Sequence, residues 1–333
     1  MVSPLQVLLV PFRALYARPR LRIAVQLAAV AVLVGSLAYS ARGSWHEAGS
    51  LVRSADRVDL ALALLAIAAY YLAFVIGWQV ILRAMSVNLR YRTALRAEML
   101  SMVAKYVPGG VWTPAARVVA LRRVNVLDTP LVLGSIALEA GLSAIAGVLV
   151  FTAALPTVEA KDPPVWWLAG LAVLLAVLLH PRVFRPAAGR IARLLGGGEV
   201  PAVSQRLMLA LVAYYSATWL LAGTGLYFLA ASVGNPHPSD IPYLGGVSAV
   251  GAIVTVLVVI APSGLGAREG AMYGLLVAVL SPPAALSTVV LNRFAITVVE
   301  VALLAAVGTR NRRGELPPDE ADPAAAADAS VAF

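Results

Sequence analysis

Seven ionisable residues stand in apolar stretches of this sequence, where a charge is costly. Glu139 lies in SIALEAGLSAIAG, between small residues that permit close helix approach. Arg293 and Glu300 share LNRFAITVVEVALL, two helical turns apart and so on one face. Arg268 and Glu269 follow Pro262-Ser263-Gly264-Leu265-Gly266, while Lys105 and Arg117 flank Pro108-Gly109-Gly110. A charge at the centre of a bilayer costs about 2.5–3.5 kcal/mol even on the lenient insertion scale, so it normally faces a partner or a polar cavity. The chemistry open to the four cations is phosphate recognition, because the guanidinium fork donates two parallel hydrogen bonds. Helix N-termini after Gly110 and Gly266 would add amides and a partial positive charge. Lys105, Arg117, Arg268 and Arg293 are therefore candidates for binding a lipid phosphate. Glu139, Glu269 and Glu300 would keep these cations paired when no lipid is bound, carry protons, or meet a cationic headgroup. The competing reading makes the set internal salt bridges, Glu139 with Arg293 or Arg268 with Glu269, that only specify packing. For Lys105 and Arg117 there is a further alternative: a hairpin lying on the cytoplasmic interface, binding anionic headgroups there.

Other chemistries find less support. There is no Cys, and His46, His180 and His237 are scattered, so no metal-ligand set is expected. No Ser/His/Asp set or nucleotide loop is visible, and no cofactor is implied. Asp56 and Asp59 fall in a short outer loop. They could be compared with the acidic residues of membrane glycosyltransferases, but a solvated loop accounts for them. The pairs Tyr70-Tyr71 and Tyr214-Tyr215 read as packing or depth markers.

The elements that must position these residues are membrane spans. The 333 residues are 60% hydrophobic and 13% charged, with a mean hydropathy of +0.84. A soluble domain carries about a quarter charged residues. Runs long enough to cross about 30 Å of hydrocarbon cover Ile23–Tyr39, Leu60–Leu82, Pro130–Phe151, Leu207–Ala231 and Leu286–Val307. A shorter run, Val165–Leu179, opens with Trp166 and Trp167. The net charge of +9 does not indicate nucleic acid. Of the 26 Lys and Arg, only Arg42, Arg53, Arg57 and Lys161 fall in alternate loops, and Arg268 and Arg293 lie in apolar surroundings. The rest follow the positive-inside bias of a plasma or inner membrane protein, with both termini cytoplasmic. Residues 1–22 read as a cytoplasmic interfacial segment, 23–308 as one transmembrane domain, and 309–333 as a disordered tail rich in Ala, Pro and acids.

Two segments are interrupted: 91–124 at Pro108-Gly109-Gly110, and 241–280 at Pro262-Ser263-Gly264-Leu265-Gly266. Proline removes a backbone donor and opens the helix. Such backbone survives at membrane depth only when buried in protein or lining a wet cavity. The two breaks look alike, each between arms expected to be of similar length. Three confident spans separate them, which places them on opposite sides of the membrane. Glu139 and Arg293 lie at the same distance after the proline of their own break. The expected fold is an all-α integral membrane protein of about six full spans plus two broken, re-entrant hairpins. It is arranged as an inverted repeat of units about 60–152 and 207–308.

The sequence resembles a known family at these same residues. Lys105-Tyr106-Val107-Pro108-Gly109-Gly110-Val111-Trp112 with Arg117 resembles the first signature of the lysylphosphatidylglycerol synthase transmembrane family. Pro262-Ser263-Gly264-Leu265-Gly266-Ala267-Arg268-Glu269-Gly270 resembles its second, Pro-x-Gly-Leu-Gly-x-Arg-Glu. Glu139 takes the place of the family's mid-helix glutamate and Arg293 that of the arginine opening its last helix. Trp112 stands where glycine is common. The resemblance implies a flippase or translocase for a lipid or lipid-linked intermediate, in a stand-alone member without the synthase domain. In named members this domain moves aminoacylated phosphatidylglycerol to the outer leaflet; other stand-alone relatives resemble partners of glycosyltransferases acting on polyprenyl phosphates. Membrane lipids are thus the implied partners. The alternative is a membrane glycosyltransferase, or an accessory subunit of a polyprenyl-phosphate glycosyltransferase.

Overall fold

The computed structural model describes residues 45–105, 112–126, 128–155, 203–258 and 264–309. Among them lie nine α-helices: α1 (Trp45–Arg53), α2 (Arg57–Ala84), α3 (Tyr91–Ala104), α4 (Trp112–Arg122), α5 (Thr129–Ala154), α6 (Gln205–Ala231), α7 (Ile241–Leu257), α8 (Ala267–Leu276) and α9 (Pro282–Thr309). Five stretches are long and apolar enough to cross a membrane: α2, α5, α6, α9, and Pro238–Leu257, which carries α7. The chain is a multi-pass membrane protein.

Three of the long helices begin where the sequence supplies a side-chain cap. Asp56 accepts hydrogen bonds from the amides of Val58 (2.8 Å) and Asp59 (3.0 Å) at the start of α2. Asp128 receives the Leu131 amide at 3.0 Å, with proline in the first turn of α5. Ser204 receives the Leu207 amide at 3.3 Å on α6. Each satisfies an amide that the first helical turn leaves without a partner. The spans expected at 60–82, 130–151, 207–231 and 286–307 lie within α2, α5, α6 and α9. Those at 23–39 and 165–179, the interfacial segment 1–22 and the tail from 310 lie outside the described residues.

Polarity runs inside out. Leu65, Val256, Leu257 and Phe294 are each 67% exposed, whereas Glu98, Arg117, Glu139, Glu300, Thr288 and Asn292 are buried. Lipid tails solvate the outer apolar side chains, so burial is left to close packing and polar contacts. α6 and α7 touch backbone to backbone: a Cβ on Gly245 would stand 2.6 Å from the Trp219 carbonyl oxygen, and one on Gly223 would stand 2.6 Å from the Gly245 nitrogen. Only glycine fits at that crossing.

The two interrupted segments behave differently. α3 and α4 have 14 and 11 residues, close to the equal arms expected. α7 and α8 have 17 and 10, which corrects the expectation of similar arms at the second break. The run from Ile241 to Leu257 meets no breaker after Pro242, so α7 continues until Val258. Pro108, Gly109, Gly110 and Pro262 lie outside the described residues. Gly264 and Gly266 adopt φ of +65° and +83°, a region closed to most side chains, and so turn the chain into α8.

Within each interrupted segment the arms pack together, α3 on α4 and α7 on α8. α2 packs on α6. The other close pairs come in twos: α2 with α3 and α6 with α7; α3 with α9 and α7 with α5; α2 with α9 and α6 with α5; α2 with α5 and α6 with α9; α4 with α5 and α8 with α9. Exchanging α2–α5 with α6–α9 in order returns the same set. α1 lies outside it, resting on α9 through Ala48 and Leu286, with the Ser287 hydroxyl donating to the Ala48 carbonyl at 3.1 Å.

Candidate functional site

α3 carries Glu98 and Ser101, and Lys105 follows its last residue at continuing helical spacing, so all three turn toward the bundle interior. α4 brings in Arg117, 4% exposed. α5 brings in Glu139, 3% exposed, from among the small residues that let its neighbours approach. Arg117 forms ion pairs with both Glu98 and Glu139. Its guanidinium also lies over the Trp78 ring of α2, 4.4 Å from the centroid. The Trp78 indole N–H is held by the Ser135 hydroxyl of α5 at 3.0 Å. One cation is thus clamped by two carboxylates and an indole face. Glu98 Oε1 and Glu139 Oε1 are buried without a hydrogen bond.

A second cluster sits at the other end of α3. Lys105 pairs with Glu300 of α9, which also accepts the Tyr71 hydroxyl of α2. A third group lies at the second break. Glu269 uses Oε2 to accept the Gly266 amide at 2.7 Å, closing the first turn of α8. Its Oε1 pairs with Arg293 of α9 at 3.3 Å. Arg268, beside it, has no carboxylate partner among the described residues. It lies within electrostatic range of Tyr70, Tyr71 and Lys105.

The charged residues singled out from the sequence meet partners other than those considered there. Glu139 meets Arg117, not Arg293, and Glu269 meets Arg293, not Arg268. Lys105 and Arg117 point into the bundle. Of the break residues, Gly264 and Gly266 are the described ones. Glu98, Tyr71 and Trp78 were missed as site residues. A signal for Glu98 existed: it stands two helical turns before Lys105 on the same face. Asp56 serves as a helix cap.

Electrostatically, the interior holds cations that are paired but not neutralised by hydrocarbon. A buried pair loses desolvation energy comparable to what it gains by attraction, so pairs of this kind contribute little net stability, whereas stranding one member is costly. Among the described residues no group of His, Cys, Asp and Glu could hold a metal ion. A search of curated proteins finds no match to this sequence. The family profile described as lysylphosphatidylglycerol synthase TM region matches residues 23–303, and the chain belongs to that family.

Proposed function

We propose that this protein moves an anionic lipid, a phospholipid or a polyprenyl-phosphate sugar, between leaflets, and that Arg268 receives its phosphate. Family membership supports lipid translocation as the class of activity. The observation that carries the reading is Arg268: a cation without a carboxylate partner among the described residues, in an interior where Lys105, Arg117 and Arg293 are each ion-paired. A partly buried guanidinium without a carboxylate gives up solvation that it does not recover, and a phosphate oxygen pair would satisfy its fork. Lys105 and Arg293 would then join the headgroup by releasing Glu300 and Glu269 in part. The tails would remain in lipid while the headgroup crosses, which avoids dragging phosphate through hydrocarbon.

The movement would be that of an inverted repeat, with α2–α5 as one unit and α6–α9 as the other, rocking about their shared seam. The paired pattern of helix contacts supports this arrangement. The glycosyltransferase reading receives less support, since Asp56 is spent on capping α2.

The test is a leaflet-accessibility assay in proteoliposomes with a labelled phosphatidylglycerol and a labelled polyprenyl phosphate. Wild-type protein is expected to accelerate the exchange of at least one, and Arg268→Ala and Arg293→Ala to slow it. No acceleration of either lipid, or unchanged rates in both variants, would refute the proposal.

A further inference from the structure

α1 stands outside the paired helix contacts, yet it is fastened to α9. Ala48 and Leu286 pack together, both buried, and the Ser287 hydroxyl donates to the Ala48 carbonyl at 3.1 Å. α1 ends just before α2 begins. Between them the Asp56 amide donates to the Ser232 carbonyl, just past the end of α6, at 3.1 Å. This corner therefore lies where two spans start and a third stops, at one surface of the membrane.

Beside the Ala48–Leu286 contact the two helices part around a cavity of about 320 Å³, within the range of about 300–1,000 Å³ that ligand sites occupy. Its walls are Ala48, Gly49 and Val52 of α1 and Leu286, Ser287 and Val290 of α9. They are apolar apart from Ser287, whose hydroxyl is already engaged by the backbone carbonyls of Ala48 and Pro283. Gly49 keeps the space open: a Cβ there would have only the Arg53 guanidinium near it, at 3.8 Å. Arg53 is exposed and curls back along α1, its Nε donating to the Gly49 carbonyl at 3.1 Å. Its terminal nitrogens thus stand at the mouth of the cavity, and no carboxylate among the described residues takes them. A stem laid on apolar surface with the charge held at the rim suits an amphiphile.

The cavity continues as a track. After Val290, the α9 residues Phe294, Val298 and Val301 follow on the same face and are 67%, 54% and 59% exposed. At a helical rise of about 1.5 Å per residue the track runs about 16 Å, close to half of a hydrocarbon core about 30 Å thick. Exposed apolar side chains are ordinary on a membrane helix. A roofed cavity at their head, with a cation at its mouth, is not. We propose that the α1–α9 cavity binds one hydrocarbon chain of an anionic lipid, with the lipid's phosphate on Arg53. Binding follows from the cavity and its guanidinium. Its use as a station for a transported lipid rests on the function proposed above, and Arg293 lies one turn beyond Val290 on α9.

Photo-crosslinking of the full chain in detergent tests the site. The probe is phosphatidylglycerol with a diazirine near the head end of one acyl chain, and peptide mass spectrometry maps its adducts. Wild type is expected to carry adducts within 48–53 and 286–290. Diacylglycerol bearing the same chain should label these segments about fivefold less, and excess inorganic phosphate should not compete, since it lacks the chain. Gly49→Leu fills the cavity and suits a helix better than glycine does. It should remove most of this labelling while adducts elsewhere persist. Arg53→Gln should lower phosphatidylglycerol labelling to the diacylglycerol level, and Arg53→Lys should restore much of it. Arg53 is exposed, so this arm stands even if Gly49→Leu fails to fold. Absence of adducts from both segments, equal labelling by phosphatidylglycerol and diacylglycerol, or labelling untouched by Gly49→Leu in folded protein would overturn the inference. The expected labelling in a protein that exchanges no lipid would keep the site and end the transport reading.

Discussion

The Glu269–Arg293 pair separates a packing role from a functional one. At 3.3 Å, two unit charges attract by about 5 kcal/mol at an effective dielectric constant of about 20. The side chains retain 13% and 22% exposure, and desolvation offsets part of the attraction, so breaking the pair should cost about 2–3 kcal/mol. Glu269→Gln removes the charge yet keeps an amide oxygen to accept the Gly266 N–H, so the cap of α8 survives. Glu269→Ala removes both, adding about 1 kcal/mol for the lost cap. The double substitution Glu269→Gln with Arg293→Gln should recover most of the stability, because no charge is left stranded. Reversible unfolding in mixed micelles measures the energies, and the proteoliposome assay measures transport on the same samples. If Arg293 contacts the headgroup, the double variant regains stability while transport stays low. A double variant that transports as wild type does would show that Arg293 only packs. A cost below about 0.5 kcal/mol for Glu269→Gln would mean the pair is screened like a surface bridge, and the interior would not be the low-dielectric site described above.

Three further outcomes are expected. Gly245→Ala should destabilise by about 1–3 kcal/mol or more, because its Cβ would meet the Trp219 carbonyl at 2.6 Å; thermal unfolding in detergent reads the loss, and an unchanged midpoint would contradict the α6–α7 contact. Asp56→Ala should cost about 1 kcal/mol through the lost cap and leave lipid exchange intact in folded protein; loss of exchange at full stability would revive a chemical role for that loop. Trp78→Leu removes both the ring under Arg117 and the donor to Ser135. It should cost about 2–3 kcal/mol, with Trp78→Phe intermediate, as scored in the same unfolding assay.

The long helices were legible because each is a continuous apolar run, and three of them open on a cap residue, Asp56, Asp128 or Ser204, whose effect is local. Glu139, Arg293 and Glu300 were legible as paired charges for a related reason: a charge in such a run needs a partner. Their partners were not legible. Arg117 meets Glu139 and Lys105 meets Glu300 across different helices, and no periodicity encodes which helix faces lie opposite. Glu98 escaped because YRTALRAEMLSMVAK mixes charges freely, so one buried carboxylate looks like the interfacial charges around it. The unequal arms of the second segment were hidden by the visible Pro-Ser-Gly: it marks where a helix stops, while the length of α7 depends on how far its small residues can follow α6 and α5.

The paired helix contacts bear on how many shapes the chain has available. α7 is seated more extensively on α6 and α5 than its counterpart α3 is on α2 and α9, so one half of the pattern is tight and the other slack. Under the rocking motion proposed above, trading conformations between the halves would rebuild every close pair from equivalent elements. If the proposed exchange occurs, the energy between the two forms is set by the side chains in which the halves differ, so substitutions at the looser α3 seam should shift the balance between them.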